Sequence, residues 1–434
     1  MVAGVAGLAA VVVWWLLPDL IANLPGRARH YIPESIVERV TTPLPAALPA
    51  PIDPAPAALE LALGTPPTPH ITPAPTRTSA PDNNLVLPTG EPSNTPVPTP
   101  SLVPSSTPEP LLPYSRIDGL PIIPQKFNNC GPTNLTIVLN HYGIDVDQFD
   151  VAAVARPNYE DRNVSPSELV SYVRDHTALS AEVYVGGDIG LLRRLVGAGF
   201  PIIIEKGLEP DAATGWMGHY LTVFGYDDIT GHLLVRDTYL GPWRGDGLAA
   251  YRDTEGYWAQ FNGTFIVVFP EERSSDLQQV LGPVFADEAT MWSAAAEEAR
   301  STVVLSPADP FAWFNLGTSL VELARLGDVR LFEGAAAAYD QARVLGLPPR
   351  MLWYQFGPYE AYLATGRYAD VIELAEVTLA NQGGRNVEET YLYQGRALAG
   401  LGEMAAASAA FERAASLNPH SPVGLAAQAA LGGG

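Results

Sequence analysis

The stretch Gln125-Lys126-Phe127-Asn128-Asn129-Cys130-Gly131-Pro132-Thr133 joins a polar loop to the start of a helix and holds the only cysteine of the chain. Leu135, Val138, Leu139 and Tyr142 follow at helical spacing, and Gly143 stands where that helix should end. A thiol at a helix start meets unpaired backbone amides and the positive end of the helix dipole, and both stabilise a thiolate. Gln125, a few residues upstream, has an NH2 group to offer an oxyanion forming beside that thiolate, together with the Cys130 amide. A lone cysteine is more often a small buried hydrophobe, so a nucleophile here needs a base elsewhere in the chain.

Such a base stands in Trp216-Met217-Gly218-His219-Tyr220-Leu221-Thr222-Val223, where a histidine follows glycine and opens an apolar run. His219 can take the thiol proton if a third residue orients its ring, and Asp237 is the candidate. The runs from His219 and to Asp237 are separated by Asp227, Asp228 and Gly231, which predicts an antiparallel hairpin. A turn centred on Asp228 sets His219 opposite Asp237, whereas a turn closed by Gly231 makes the pairing diagonal.

The surrounding residues predict an α+β unit over residues 114–272. Ser165, Pro166 and Glu168 form a capping box for a helix running to His176, and a further helix is expected over Ile189–Ala198. Strands are expected at Pro201–Glu205, His219–Tyr226, His232–Asp237 and Gly263–Phe269. Helices first and strands afterwards argue against a doubly wound sheet.

Gln125, the Asn-Asn-Cys-Gly-Pro run with Thr133, the Gly-His-Tyr strand and the segment from Arg236 to Pro242 together resemble the C39-like family of papain-fold cysteine peptidases. The resemblance spans about Leu120 to Pro270. It implies a papain-like fold, with Cys130 as nucleophile, His219 as general base, Asp237 as its orienter and Gln125 as oxyanion donor. The family's best-known members are fused to peptide-exporting transporters and cut leader peptides after a double glycine. This sequence carries no transporter and no nucleotide-binding loop, so that substrate does not transfer with the resemblance.

Other polar residues have blander readings. His141 and His176 near helix ends and His232 in a strand are expected to be structural. Glu205, Glu209 and Asp211 either line a substrate groove or are solvated, the second being commoner. Trp216 and Trp243 flank the two strands as cleft walls or, more commonly, as core.

Composition frames the rest of the 434 residues. Lys and Arg total 25 against 47 Asp and Glu, a net charge of -22, which gives no basic footprint for nucleic acid. One cysteine excludes an intrachain disulfide framework and thiolate clusters, and no phosphate loop or His/Asp metal cluster stands out, so no cofactor is expected. Val2 to Leu17 carry no charge, which marks residues 1–20 as a membrane anchor or signal-anchor, followed by a juxtamembrane segment over residues 21–42. Just over half of the 41 prolines fall within residues 43–113, the composition of a disordered spacer. Anchor and Pro/Thr stalk together predict an extracellular placement, although Arg27 and Arg29 after the apolar run argue for the opposite orientation.

After a helical connector over residues 273–308, a repeat of about 36 residues is expected over residues 309–424. Tyr391, Gly395, Leu398, Gly402, Ala407, Phe411, Ala414 and Pro419 stand where tetratricopeptide repeats place large, small and helix-ending residues. An earlier copy shows Trp313, Leu316, Gly317 and Leu320, then Ala335, Tyr339 and Ala342. The sequence thus reads as a membrane-anchored cysteine peptidase acting on a peptide or protein, with an all-α repeat domain that recruits a protein partner. The alternative is a catalytically silent scaffold that binds a peptide or protein in a papain-like cleft.

Overall fold

A computed structural model of the chain describes residues 47–51, 56–64, 111–211, 214–242, 244–380 and 383–432. The first helix among the described residues, α1 (Pro56–Leu63), precedes a sheet whose strands come from β-branched and aromatic runs. These are β1 (Tyr114–Arg116), β2 (Leu179–Tyr184), β3 (Ile202–Leu208), β4 (Met217–Asp227), β5 (His232–Arg236), β6 (Gly247–Ala250) and β7 (Phe265–Pro270). They pair in the order β2-β7-β3-β4-β5-β6, with β1 on β4, and every pairing is antiparallel. The expected α+β character holds, while β2 and β6 carry too little apolar alternation to stand out in the sequence.

Helices cover both faces. On one face α2 (Cys130–His141), α3 (Gln148–Ala155) and α4 (Pro166–His176) bury Leu135, Val138, Val151, Leu169 and Val173 against Ile203, Tyr220, Ile266 and Val268. On the other, α5 (Ile189–Gly197), α6 (Tyr251–Ala259), α7 (Ser274–Leu281) and α8 (Glu288–Leu305) place Leu191, Leu195, Trp258, Leu277 and Met291 against Ile202, Ile204, Leu221 and Val223. The capping box at α4 is present, with Ser165 N donating to Glu168 Oε2 at 2.8 Å and Glu168 N donating to Ser165 Oγ at 3.3 Å.

The β4–β5 hairpin closes at Gly231, whose positive φ of 69° lets its amide reach Asp227 O at 2.9 Å. Asp227 pairs with His232 and Thr222 with Arg236, with a register shift between Val223 and Gly225. His219 is therefore not directly across from Asp237: the ladder ends at Arg236, and the residue in register with His219 is Lys206 of β3. The extra residue at the bulge and the longer turn displace the pairing that a turn at Asp228 would give.

The remaining helices are α9 (Pro310–Arg325), α10 (Leu331–Val344), α11 (Gly357–Ala364), α12 (Tyr368–Ala380), α13 (Glu388–Gly400), α14 (Met404–Leu417) and α15 (Pro422–Gly432). Gly317 and Gly395 allow close crossings, since a Cβ on them would fall 2.7 Å from the Tyr339 ring and 2.5 Å from the Phe411 ring. Phe261, from the turn after α6, lies in the same hydrophobic core as α9 to α12, so sheet domain and helical region share buried surface.

The reading of residues 43–113 as one disordered spacer is corrected. Within Pro56–Leu63 the only proline is at the first helical position, where its missing amide costs nothing, and Ala-Ala-Leu-Glu-Leu-Ala-Leu follows. Ala62 is fully buried, its carbonyl accepts from Arg300 Nε at 3.0 Å, and Arg343 Nη2 donates to Pro49 O at 2.7 Å. Averaging composition over the whole segment conceals this eight-residue helix. The rest of that spacer, the anchor at residues 1–20 and the juxtamembrane segment lie outside the described residues, apart from residues 47–51, 64 and 111–113. Among the described residues no helix is long and apolar enough to cross a membrane.

Ala62→Asp would put an unpaired carboxylate into the α1 contact. It is expected to destabilise the fold by about 2 kcal/mol or more, or to undock α1, whereas Ala57→Asp at an exposed position of the same helix should change little. Thermal unfolding followed by circular dichroism checks the difference.

Candidate active site

The polar loop ahead of α2 is fixed before any reactive group is considered. Gln148 Oε1 accepts from Lys126 N at 2.7 Å, Thr133 Oγ1 at 3.0 Å and Asn129 Nδ2 at 3.3 Å. Buried Arg156 donates to Asn129 Oδ1 at 2.6 Å and to the carbonyls of Asn158, Tyr159 and Asp161. Asn128 takes a positive φ of 56°, which an Asn tolerates, and donates to Asp161 O at 2.9 Å. The loop thus delivers Cys130 to the first position of α2.

Asn134, one turn into α2, ties that helix to the sheet. Its Nδ2 donates to Cys130 O at 2.9 Å, Tyr220 O at 2.8 Å and Thr238 Oγ1 at 3.2 Å, while its Oδ1 accepts from Thr222 Oγ1 at 2.7 Å. Thr238 in turn donates to Gln125 Oε1 at 2.8 Å, and Gln125 N donates to Thr238 O at 2.9 Å. With its oxygen engaged, the Gln125 amide is oriented by Thr238, and one buried network links Gln125 to Cys130.

Cys130 is hydrogen-bonded to His219. Burial pushes its thiol upward, but the His219 bond and charge, with the Tyr220 and Gly131 amides, bring it below the ordinary thiol range. His219, which unlike Cys130 is fully buried, has Nε2 at 3.2 Å from Asp237 Oδ1, leaving Nδ1 to face the thiol. Burial disfavours the imidazolium, yet the Asp237 charge and hydrogen bond, with the thiolate, raise the ring to about 9. Asp237 stays below the usual carboxylate range: burial raises it, and His219, the Leu240 amide and Lys206 more than compensate. Its Oδ1 also accepts from the amides of Tyr239 at 2.9 Å and Leu240 at 2.8 Å, and the Tyr239 ring stands edge-on to the imidazole at 5.9 Å.

The diagonal hairpin register therefore still brings Cys130, His219 and Asp237 into one hydrogen-bonded series, because Asp237 turns off the end of β5 toward the ring. This arrangement can hold a thiolate beside an imidazolium, the state from which a thiol attacks a carbonyl carbon.

With that geometry in view, residues 114–266 match the model of the Peptidase_C39 like family. Residues 114–266 form a C39-like peptidase domain. Among solved structures, the chain is similar to a protein from Bacillus anthracis described as a C39-like peptidase, at 18% identity over 36% of this chain and 96% of that one, with a TM-score of 0.29. It is also similar to a double glycine motif protease from an AMS/PCAT transporter in complex with the leader peptide, at 18% identity over 36% of this chain and 94% of that one, with a TM-score of 0.27. Comparison with curated proteins finds no match.

The other sequence candidates take different places around the peptidase domain. His232 Nδ1 lies 2.7 Å from Thr230 O, His176 stacks on Tyr172, and His141 rests beside Tyr142, all outside the site. Trp216 packs between Phe261 and Phe311 with Nε1 donating to Gln260 Oε1 at 2.7 Å, so it belongs to the contact with the helical region. Trp243 lies outside the described residues. Asp211 braces its own loop by accepting from Thr214 N at 2.6 Å. Glu205 is not solvated: it is buried against the cavity that Cys130 lines, where desolvation raises its carboxyl to about 8.

Sequence reading overlooked Asn134, Thr238 and Lys206. Asn134 falls one turn after Cys130 and Thr238 directly after Asp237, a spacing that offered a signal. Lys206 offered none, because its place beside His219 depends on the β3–β4 register.

Replacing Asp237 by Asn removes the larger support for the imidazolium and leaves only Cys130 to oppose burial. The ring, at about 9 in the parent, is expected to titrate clearly lower in Asp237→Asn. Imidazole proton shifts in an NMR pH titration check this, and an unchanged titration would remove Asp237 as the cause.

Proposed function

We propose that the chain is a thiol peptidase in which Cys130, His219, Asp237 and Gln125 carry out the reaction. The observation that carries this reading is the Cys130–His219–Asp237 series, centred on a buried imidazole between a half-buried thiol and a half-buried carboxylate, with the thiol lowered and the imidazole raised from their ordinary values. The thiolate attacks a peptide carbonyl carbon, forming an S–C bond while the carbonyl electrons move to oxygen. That oxyanion accepts from the Gln125 NH2 and the Cys130 amide. As the intermediate collapses, the C–N bond breaks and His219 gives its proton to the leaving amine. His219 then takes a proton from water, whose oxygen attacks the thioester, releases the acid and restores the thiolate. An amine in place of that water gives acyl transfer with the same groups. Asp237 keeps the ring turned toward the thiol throughout.

The wider proposal joins three features. Val2–Leu17 anchor the chain with its folded domains outside the cell, α9 to α14 act as tetratricopeptide-type pairs, and those pairs recruit a protein partner or substrate. The close Gly317–Tyr339 and Gly395–Phe411 crossings support the repeat reading, because they are small-to-large contacts within helix pairs.

Against a library of unstructured peptides, the chain is expected to cleave at least one class, and Cys130→Ala to abolish turnover. Gln125→Ala should lower kcat by about 10² to 10³, with a smaller effect on KM. Iodoacetamide should alkylate Cys130 rapidly well below pH 7 and lose that reactivity in His219→Ala. An ordinary thiol profile unaffected by His219→Ala, together with peptide binding but no cleavage, would instead favour the silent scaffold.

A further inference from the structure

The cavity beside Cys130 is not made by the peptidase domain alone. Tyr354, which follows the short helical turn Pro349–Trp353 between α10 and α11, lines it together with Cys130, Gly131, Glu205, Gly218 and Tyr220. Its volume of about 10 Å³ suits one water molecule and no peptide residue. The Tyr354 oxygen accepts a hydrogen bond from the Gly218 amide. The ring lies close over that glycine, where a Cβ would come within 3.0 Å of it. Trp216 and Phe261 meet the ring edge-on at 6.1 and 6.0 Å. Arg350, one turn earlier, donates to the carbonyls of Thr214 and Trp216, the latter at 3.3 Å, and so clamps the loop that leads into His219.

Tyr354 occupies the space between Cys130 and Gly218 in this cavity, so a carbonyl carbon approaching the half-buried thiol from that side meets the phenol ring. We propose that Tyr354 gates the cleft: the helical region holds it closed, and a substrate reaches Cys130 only when the phenol ring leaves Gly218, so that this one side chain decides what size of molecule enters. The proposal rests on the thiol-peptidase reading in taking Cys130 as the group to be reached. It goes beyond that reading by making the helical region part of the active site. Gly218 also gains a reason of its own, since any side chain there would strike the gate.

Alkylation of Cys130 in the full chain tests this, using iodoacetamide as a small reagent and fluorescein maleimide as a bulky one. Tyr354→Ala is expected to react at least tenfold faster than the parent with the bulky reagent and only a few-fold faster with the small one. Arg350→Ala and Tyr354→Phe, which loosen the clamp or remove the Gly218 hydrogen bond while keeping the ring, should accelerate the bulky reagent about threefold. Equal rates for parent and Tyr354→Ala with both reagents would overturn gating. If circular dichroism shows Tyr354→Ala unfolded, no acceleration in either milder variant would overturn it equally. An ordinary thiol pH profile in every variant would sink the peptidase reading separately, since the ratio between the two reagents would still report whether Tyr354 bars the way.

Discussion

Docking of the α2 N-terminus onto β4 is the constraint on which the site depends. Asn134 makes that docking specific: one side chain satisfies a helix carbonyl, a strand carbonyl and two threonine hydroxyls within a buried space. An apolar residue at position 134 would leave several buried polar groups unpaired, at about 1–3 kcal/mol each. Because Thr238 belongs to the same network, the position of Cys130 on its helix and that of the Gln125 amide on its loop are set by one set of bonds. Gln148 and Arg156 brace the loop from the other side.

Within this frame the reactive groups oppose their own burial. Burial pushes Cys130, His219 and Asp237 each toward its neutral form, and each is drawn back toward the charged form chiefly by its neighbour in the series, with backbone amides helping at Cys130 and Asp237. Lys206 enters the same balance, since burial lowers its ammonium while Asp237 partly restores it, and its Nζ donates to Gly207 O at 2.9 Å. Such a balance is cooperative: the loss of one charge removes the support of the next. Glu205 stands apart from it, because burial raises its carboxyl to about 8 and its hydrogen bond with Tyr220 only partly offsets this.

The helical region is joined to the peptidase domain rather than strung from it. Asn315 Nδ2 donates to Ala259 O at 2.6 Å, Asn262 Nδ2 to Ser319 Oγ at 3.1 Å, and Phe261 is buried among α9 to α12. Helix α1 crosses to the same layer and packs against α10. Residues from three separate parts of the chain therefore share one core, and removing the helices would expose Phe261 and Trp216 beside the site. The buried ion pair of Arg343 with Asp370 at 3.2 Å and the part-buried pair of Arg367 with Asp340 at 2.6 Å hold the register of α10 to α12.

Local patterns made much of this legible. The capping box at Ser165, the helix from Cys130, the apolar strand runs and the glycine-histidine junction are read within a few residues of one another, where backbone preference and side-chain spacing act directly. The eight-residue helix at Pro56 was hidden because composition averaged over seventy residues masks a short helix-forming run. The hairpin shows where such reading stops: the sequence left two turns open, and only the bulge beside Gly225 and the Gly231 closure decided the register. Lys206 beside His219 and Tyr354 over Gly218 were beyond sequence reading altogether. Their placement depends on strand pairing and domain packing between residues far apart in the chain, and no local spacing encodes those contacts.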